Sequence, residues 1–258
     1  MMDPFRHRVA VVTGASAGIG EAIARGLAAQ GASVVLNARR EERLAEVVGE
    51  INAAKGEAVA CPGDAGDPRV ITAMLDRARD HFGSEANLVV VNAGRGLKGS
   101  VYDSDTDQWE EMVRTNLLGA ARLMREAARR MVEDIRGDDW QTSPRDIFAI
   151  GSTVGRHISP FSSMYGATKF GVHALAEALR REVGPKGVRV TLIEPAVVKS
   201  EFQDVAGYDP ATFGQFMDKI GPVLSPEDVA RAIVFVASQP GAVHVSDLLI
   251  RPTRQDYP

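Results

Sequence analysis

The stretch Val9-Ala-Val-Val-Thr13-Gly14-Ala15-Ser16-Ala17-Gly18-Ile19-Gly20, running on through Glu21 to Gln30, decides the fold. Val9 to Thr13 reads as a buried strand. Gly18 to Gln30 reads as a helix, with Ile19, Ile23 and Leu27 on one face and Gly31 as its stop. Between them lies a glycine-rich turn. Glycines there permit a tight turn and let a pyrophosphate approach the backbone and rest on the helix N-terminus. A packing turn could carry the same glycines; the strand–turn–helix context favours the phosphate site.

Working outward, the same alternation repeats. Strands are predicted at Ser33–Asn37, 58–61, 88–92, 147–150, 188–193 and 248–250. Helices are predicted from Glu41 to Lys55 with Gly56 as stop, from Pro68 to Phe82, from Asp107 to about Asp134, from Ser163 to Val183 and from Ser225 to Ser238. Nearly continuous apolar strands alternating with helices imply a parallel sheet covered on both faces. Right-handed crossovers make it an α/β, doubly wound Rossmann domain with about seven strands. No linker or repeat divides residues 1–258, so one domain is expected. Two segments leave the alternation: the polar stretch 136–146 and residues 199–224, a possible lid or substrate segment of short helices.

Composition narrows the function. The 258 residues are 45% hydrophobic and 25% charged, with a net charge of −4. That is a globular composition without electrostatic drive toward nucleic acid or anionic membrane. One cysteine, Cys61, excludes an intrachain disulfide framework and cysteine-based zinc clusters, and reads as a small buried hydrophobe. His7, His81, His157, His173 and His244 include no i, i+4 pair, so no catalytic metal is expected. The opening Met-Met-Asp-Pro-Phe-Arg-His-Arg lacks the apolar core of a secretory signal, and no apolar run approaches a membrane span. A soluble cytoplasmic protein is the expectation.

Two further groups of residues point to chemistry. The second strand ends in Asn37-Ala38-Arg39-Arg40, where dinucleotide sites often place an acid for the ribose 2′-hydroxyl. Here Ala38 leaves space and Arg39 offers a fork donor suited to a phosphate, which favours NADP(H) over NAD(H). The plain alternative is a solvated Arg pair partnering Glu41 and Glu42. Further on, Tyr165 and Lys169 stand i, i+4 on a helix face continued by Val172, Ala176, Leu179 and Val183. A lysine on a buried stripe needs a partner.

With these residues quoted, the chain resembles the classical short-chain dehydrogenase/reductase family over nearly its whole length. The TGxxxGxG loop matches Thr13 to Gly20, NNAG matches Val91-Asn92-Ala93-Gly94, and YxxxK matches Tyr165-Gly-Ala-Thr-Lys169. The family's catalytic Asn and Ser match Asn116 and Ser152. Its Pro-Gly motif appears as Pro195-Ala196, with Ser200 at the usual Thr position. Stretches such as Ile-Glu-Pro and Arg-Pro-Thr-Arg-Gln look like the branch of NADP-dependent serine and 3-hydroxy acid dehydrogenases. Three departures stand out: Val91 for the first Asn, Ala196 for Gly, and the longer 136–146 segment.

The resemblance implies a catalytic tetrad of Asn116, Ser152, Tyr165 and Lys169. It implies that Gly14, Ser16, Gly18, Ile19, Gly20, Arg39, Arg40, Asp64, Ala65, Asn92, Ala93, Gly94, Tyr165, Lys169, Pro195, Val197 and Val198 hold the cofactor, Asp64 near the adenine. Tyr165 would be general acid in reduction and base in oxidation, with Lys169 stabilising its phenolate. Ser152 would hold the substrate oxygen. Asn116 would anchor a water linking Lys169 to solvent. The implied function is an NADP(H)-dependent oxidoreductase acting on a carbonyl or secondary alcohol. An epimerase, isomerase or dehydratase on the same scaffold, or a non-catalytic NADP-binding regulator, are the alternatives; filled tetrad positions argue against the last. Arg156, His157, Ser159, Phe161 and Met164 fall where the pocket wall is expected. Arg156 could bind a substrate carboxylate or pair with an acid. Phe202, Tyr208, Phe213 and Phe216 give residues 199–224 an aromatic side, as wall or as packing. Relatives pair the 107–134 and Tyr165 helices between subunits, which implies a homodimer or homotetramer.

Overall fold

The computed structural model describes residues 5–257; residues 1–4 and 258, which include half of the N-terminal octapeptide read above, lie outside the described residues. Among the described residues, strands β1 (Val9–Thr13), β2 (Ser33–Asn37), β3 (Glu57–Ala60), β4 (Leu88–Val91), β5 (Arg145–Ile150), β6 (Val188–Pro195) and β7 (Asp247–Ile250) form one sheet in the order β3-β2-β1-β4-β5-β6-β7. Every pairing is parallel. The helices are α1 (Gly18–Ala29), α2 (Glu41–Ala53), α3 (Pro68–Phe82), α4 (Trp109–Val113), α5 (Ala120–Asp134), α6 (Ser163–Val183), α7 (Phe202–Ala206), α8 (Pro210–Ile220) and α9 (Pro226–Ala237).

Strand alternation explains the layers. In β1, Ala10 and Val12 enter one core with Ile23 and Leu27 of α1, Leu44 of α2 and Ile233 of α9. Val9 and Val11 enter the other with Met74 and Leu75 of α3, Leu123 and Met124 of α5 and Val172 of α6. The period of two thus sends neighbouring residues into opposite helical layers, and apolar residues are needed at every position. Each fully buried Leu or Ile contributes about 1.5–3 kcal/mol. Between β1 and β4 the strand order reverses, which opens a crevice at their carboxyl ends. No helix among the described residues is long and apolar enough to cross a membrane.

Local signals hold at several ends. Ser225 caps α9 in a full capping box with Asp228, and Gly83 ends α3 in the left-handed region at φ 77°. Elsewhere the structure differs from expectation. α2 ends before Lys55, which itself takes φ 68°; Gly56 is needed instead for its close approach, since a Cβ there would lie 2.8 Å from Ile51. The helix predicted over 107–134 is present and continuous, but its hydrogen-bonding pattern changes along it. A 3-10 turn at Thr106–Gln108 leads into α4, and Arg114–Gly119 forms a π-helical turn before α5. Close approach of Gly119 to the backbone of Ala65 and Gly66 accompanies this bulge. Such π turns cluster at functional sites, and this one carries Asn116.

The 136–146 segment holds a 3-10 turn at Asp139–Gln141, and its last two residues already belong to β5. Trp140 packs on Gly187, and Arg145 pairs with Asp134 and Asp139 at 2.8 and 3.2 Å. Beside it, buried Asp146 binds Arg8 at 2.5 Å and Arg189 at 2.7 Å. All of this lies at the amino end of β5, opposite the crevice, and ties the ends of the sheet together.

Candidate active site

Thr13 ends β1 with its hydroxyl buried between strands. Its Oγ1 donates to the Val90 carbonyl and accepts from the Asn92 and Ala93 amides at 3.0 Å each. Asn92 Nδ2 donates back to the Thr13 carbonyl at 2.8 Å. These bonds fix the two strand ends that frame the crevice. Gly14 and Gly18 take φ 67° and 55°, which disfavour a side chain. Gly20 is required by space, since a Cβ there would lie 2.2 Å from the Gly14 carbonyl oxygen. The N-cap of α1 is Ala17, which makes no side-chain cap bond. The first-turn amides therefore lack a protein side chain to satisfy them, and a phosphate fits that need.

Asn37, fully buried, donates to the Cys61 and Gly63 carbonyls at 2.9 and 3.2 Å, so it builds the wall. Arg39 reaches Glu111 at 3.2 Å, and Arg40 reaches Glu201 at 3.0 Å and the Ser16 hydroxyl at 3.3 Å. Neither pairs with Glu41 or Glu42 as the plain reading had it. Asp64 accepts from the Gly66 amide at 2.8 Å and meets Arg114 at 2.7 Å. Burial pushes its carboxyl up, but the Gly66 amide and Arg114 outweigh that and hold it below the ordinary range.

Tyr165 and Lys169 project from α6 toward the end of β5. Lys169 Nζ donates to the Ile150 carbonyl at 2.6 Å and sits 5.7 Å from the Tyr165 ring centre. Burial pushes the Lys169 ammonium down to about 8. Tyr165 packs on Phe202 with ring centres 5.3 Å apart. Burial pushes its phenol well above its ordinary value; a hydrogen bond with Ser152 pulls the other way, and Tyr208 reinforces the rise. With protein groups alone, the phenol is thus held protonated. Ser152 Oγ also accepts from the Val154 amide at 3.3 Å.

These elements enclose one cavity of about 950 Å³. Every cofactor residue named from the sequence lines it, as does Ser152. Asn116 does not. Its Oδ1 accepts from the Arg95 amide at 2.9 Å, and its Nδ2 donates to the Arg95 carbonyl at 2.8 Å and to Thr168 at 3.3 Å. Its side chain clamps the backbone after Gly94 rather than reaching Lys169. Arg156 is a correction. Its guanidinium is committed to Glu194 by bonds of 2.8 and 2.6 Å and does not line the cavity, so it is not placed to bind substrate. Buried Glu194 requires that partner. Ser159 and Phe161 line the cavity, and His157 and Met164 do not.

Phe202, Tyr208, Phe213 and Phe216 from α7, α8 and their linker all line it, with Tyr208 stacked on Phe213 at 5.3 Å. Sequence reasoning missed Gln255 and Tyr257, which reach the cavity from the chain end; Gln255 Oε1 accepts from the Val197 amide at 3.2 Å. It also missed Glu111 and the pairing of Glu194. The polar Arg-Pro-Thr-Arg-Gln stretch after the last strand was the available signal for Gln255.

A model of the short chain dehydrogenase family matches residues 8–209. The chain belongs to this family. It is an oxidoreductase of the short-chain dehydrogenase/reductase type with one Rossmann-type domain. An uncharacterized oxidoreductase of Staphylococcus epidermidis is 34% identical over 251 residues, covering 97% of this chain and 100% of the relative. Among solved structures, the closed form of a serine dehydrogenase complexed with NADP+ is 32% identical with a TM-score of 0.82, covering 96% of both chains. A 3-ketoacyl-(acyl-carrier-protein) reductase from Brucella melitensis complexed with NADH is 26% identical with a TM-score of 0.84, covering 96% of this chain and 98% of that one. Family neighbours therefore carry both cofactors, and the choice here rests on this chain's own residues.

Proposed function

We propose that this short-chain dehydrogenase is an NADP(H)-dependent carbonyl reductase or secondary alcohol dehydrogenase, with Tyr165 as its general acid and base. The carrying observation is convergence. A single cavity runs from the glycine turn and Arg39 to the point where Ser152, Tyr165 and Lys169 meet. Bound NADPH supplies the hydride to the carbonyl carbon.

The protein's own work is to orient the oxygen and deliver its proton. Ser152 holds the carbonyl oxygen beside Tyr165. Tyr165, protonated in the resting site, donates to that oxygen as negative charge develops, and accepts the proton in the reverse direction. Lys169, whose charge is sensitive to its surroundings near pH 8, steadies the phenolate left behind. Asn116 acts at one remove, by holding the Arg95 backbone that borders the site.

At the cofactor's adenosine end, no carboxylate ends β2, and Arg39 and Arg40 both line the cavity. The Arg39–Glu111 pair is exposed, so it contributes only about 0–1 kcal/mol. A charge-assisted bond to a ribose phosphate contributes about 1.5–3 kcal/mol and would displace it. Residues 199–224 form the lid. Their phenylalanines, with Phe161, favour a ketone or alcohol bearing an apolar or aromatic arm. The exposed Leu118, Phe170 and Leu175 around the Tyr165 helix support assembly as a homodimer or homotetramer.

The test is incubation with NADPH and a panel of 3-oxoacyl compounds, sugars, 3-oxo acids and aryl ketones, followed by loss of reduced nicotinamide absorbance. Turnover fastest on aryl or alkyl ketones supports the reading. Cofactor binding with no turnover on any carbonyl or alcohol would replace it with a regulator or a non-redox enzyme.

A further inference from the structure

His173 has no place in the proton transfer described above, yet it is built into the site's back wall. It follows Tyr165 and Lys169 at the same i, i+4 spacing along α6. Its Nε2 accepts the backbone N–H of Ser152 at 3.3 Å. Two glycines clear space for it: a Cβ at Gly151 or at Gly155 would lie 2.4 Å from that nitrogen. Because Nε2 accepts, the ring proton belongs on Nδ1, which faces Glu194 Oε2 at 3.7 Å. Glu194 is completely buried, and Arg156 grips both its oxygens from the far side at 2.8 and 2.6 Å. A chain of Arg156, Glu194 and His173 thus ends on the amide of Ser152.

We infer that His173 is a positioning residue for Ser152, held in its Nδ1–H tautomer by the Arg156-clamped carboxylate of Glu194. The inference rests on Ser152 orienting the substrate oxygen. The chain's charge is what makes it directional. A carboxylate opposite Nδ1 favours a proton there and leaves Nε2 free to accept. The groups facing the imidazole are Glu194 on β6, Asp247 at the start of β7, Lys169 on its own helix and Arg156 in the loop after β5. Burial pushes the imidazole below its ordinary value; Glu194 and Asp247 oppose this, and Lys169 and Arg156 reinforce it. At neutral pH the ring is therefore neutral and the Ser152 amide has its acceptor. As pH falls through the lowered value, Nε2 gains a proton, two donors face each other, and the turn that carries Ser152 must shift.

The wild-type protein tests this first, by nitrogen-15 correlation spectroscopy of its histidines without cofactor or substrate. The expected result is an Nδ1–H tautomer for His173 above pH 7, protonating below pH 6.5. An Nε2–H tautomer would overturn the inference. Kinetics supply the second arm. His173→Phe removes the acceptor and should lower kcat by about 10²-fold, with NADPH affinity within about threefold. His173→Gln, whose carbonyl can accept but does not titrate, should recover most of that loss and lack the acid limb of the wild-type kcat profile. Wild-type turnover in His173→Phe, or an unchanged acid limb in His173→Gln, would overturn it. If His173→Phe fails to fold, the tautomer and the His173→Gln profile decide. If the wild type turns over no carbonyl or alcohol, the proposed function fails, while the tautomer still reports on His173.

Discussion

Replacing Arg39 by alanine should convert a selective protein into an indifferent one. Arg39 follows β2 on the cavity wall, with its side chain 67% exposed and paired with Glu111, itself 37% exposed. Exposed pairs of this kind contribute about 0–1 kcal/mol. Two charge-assisted bonds to a ribose phosphate contribute about 1.5–3 kcal/mol each. Subtracting the ion pair given up, and allowing for screening by water, leaves a net loss of about 2–4 kcal/mol, or roughly 30- to 1000-fold in NADPH affinity. NADH has no 2′-phosphate, so its affinity should change by less than about threefold. Titration of both cofactors into wild type and Arg39→Ala, followed by cofactor fluorescence, reads these ratios directly. Equal loss for both cofactors would show that Arg39 supports the wall rather than the phosphate. A wild type that binds NADH as well as NADPH would refute the cofactor assignment itself.

The other expectations concern the scaffold and the cost of the site. Gly20→Ala should weaken NADPH and NADH alike by about 5- to 150-fold, because a Cβ lies 2.2 Å from the Gly14 oxygen and such overpacking costs about 1–3 kcal/mol; isothermal titration checks it. Asp146→Asn should destabilise by about 3–5 kcal/mol, since it leaves the buried Arg8 and Arg189 without their carboxylate, and should leave kcat of the folded protein unchanged; denaturant melts and active-site titration read both. Lys169→Met should abolish turnover yet melt at a higher temperature than wild type at pH 7. A lysine lowered from 10.5 to about 8 binds fewer protons folded than unfolded between those values, so the penalty of burying its charge is complete below pH 8 and fades toward pH 10.5. The advantage of Lys169→Met in melting temperature should shrink across that window.

Much of this fold was legible because most strands are short, largely apolar runs and helices such as α3 and α9 carry their own end signals. Val9–Thr13 needs apolar residues on both faces, and the sequence shows them. The glycine turn was legible because positive φ and close approach leave few other residues at Gly14, Gly18 and Gly20. The π turn at Arg114–Gly119 was not: Arg-Thr-Asn-Leu-Leu continues a helical pattern, and a π turn shifts hydrogen bonds without changing composition. The motif located Asn116, but its side-chain clamp on the Arg95 backbone was not legible from it. Arg156 shows a second limit. Its partner Glu194 stands 38 residues away inside an apolar strand, and only the three-dimensional register of β6 behind the loop reveals that the acid is buried and needs a cation. Residues 199–224 were readable as short aromatic helices, whereas the arrival of Gln255 and Tyr257 in the same cavity depends on the path of the chain after β7.

The central claim is that Tyr165 carries the proton. Tyr165→Phe removes one hydroxyl and keeps the ring that packs on Phe202, so the cavity should barely change. Steady-state turnover and NADPH titration on the same preparation give the most direct measurement. The account predicts NADPH affinity within about threefold of wild type and a fall in kcat of at least the roughly 10²–10⁴ that general acid–base catalysis supplies. Near wild-type turnover by Tyr165→Phe would contradict it, and would mean that another group handles the proton.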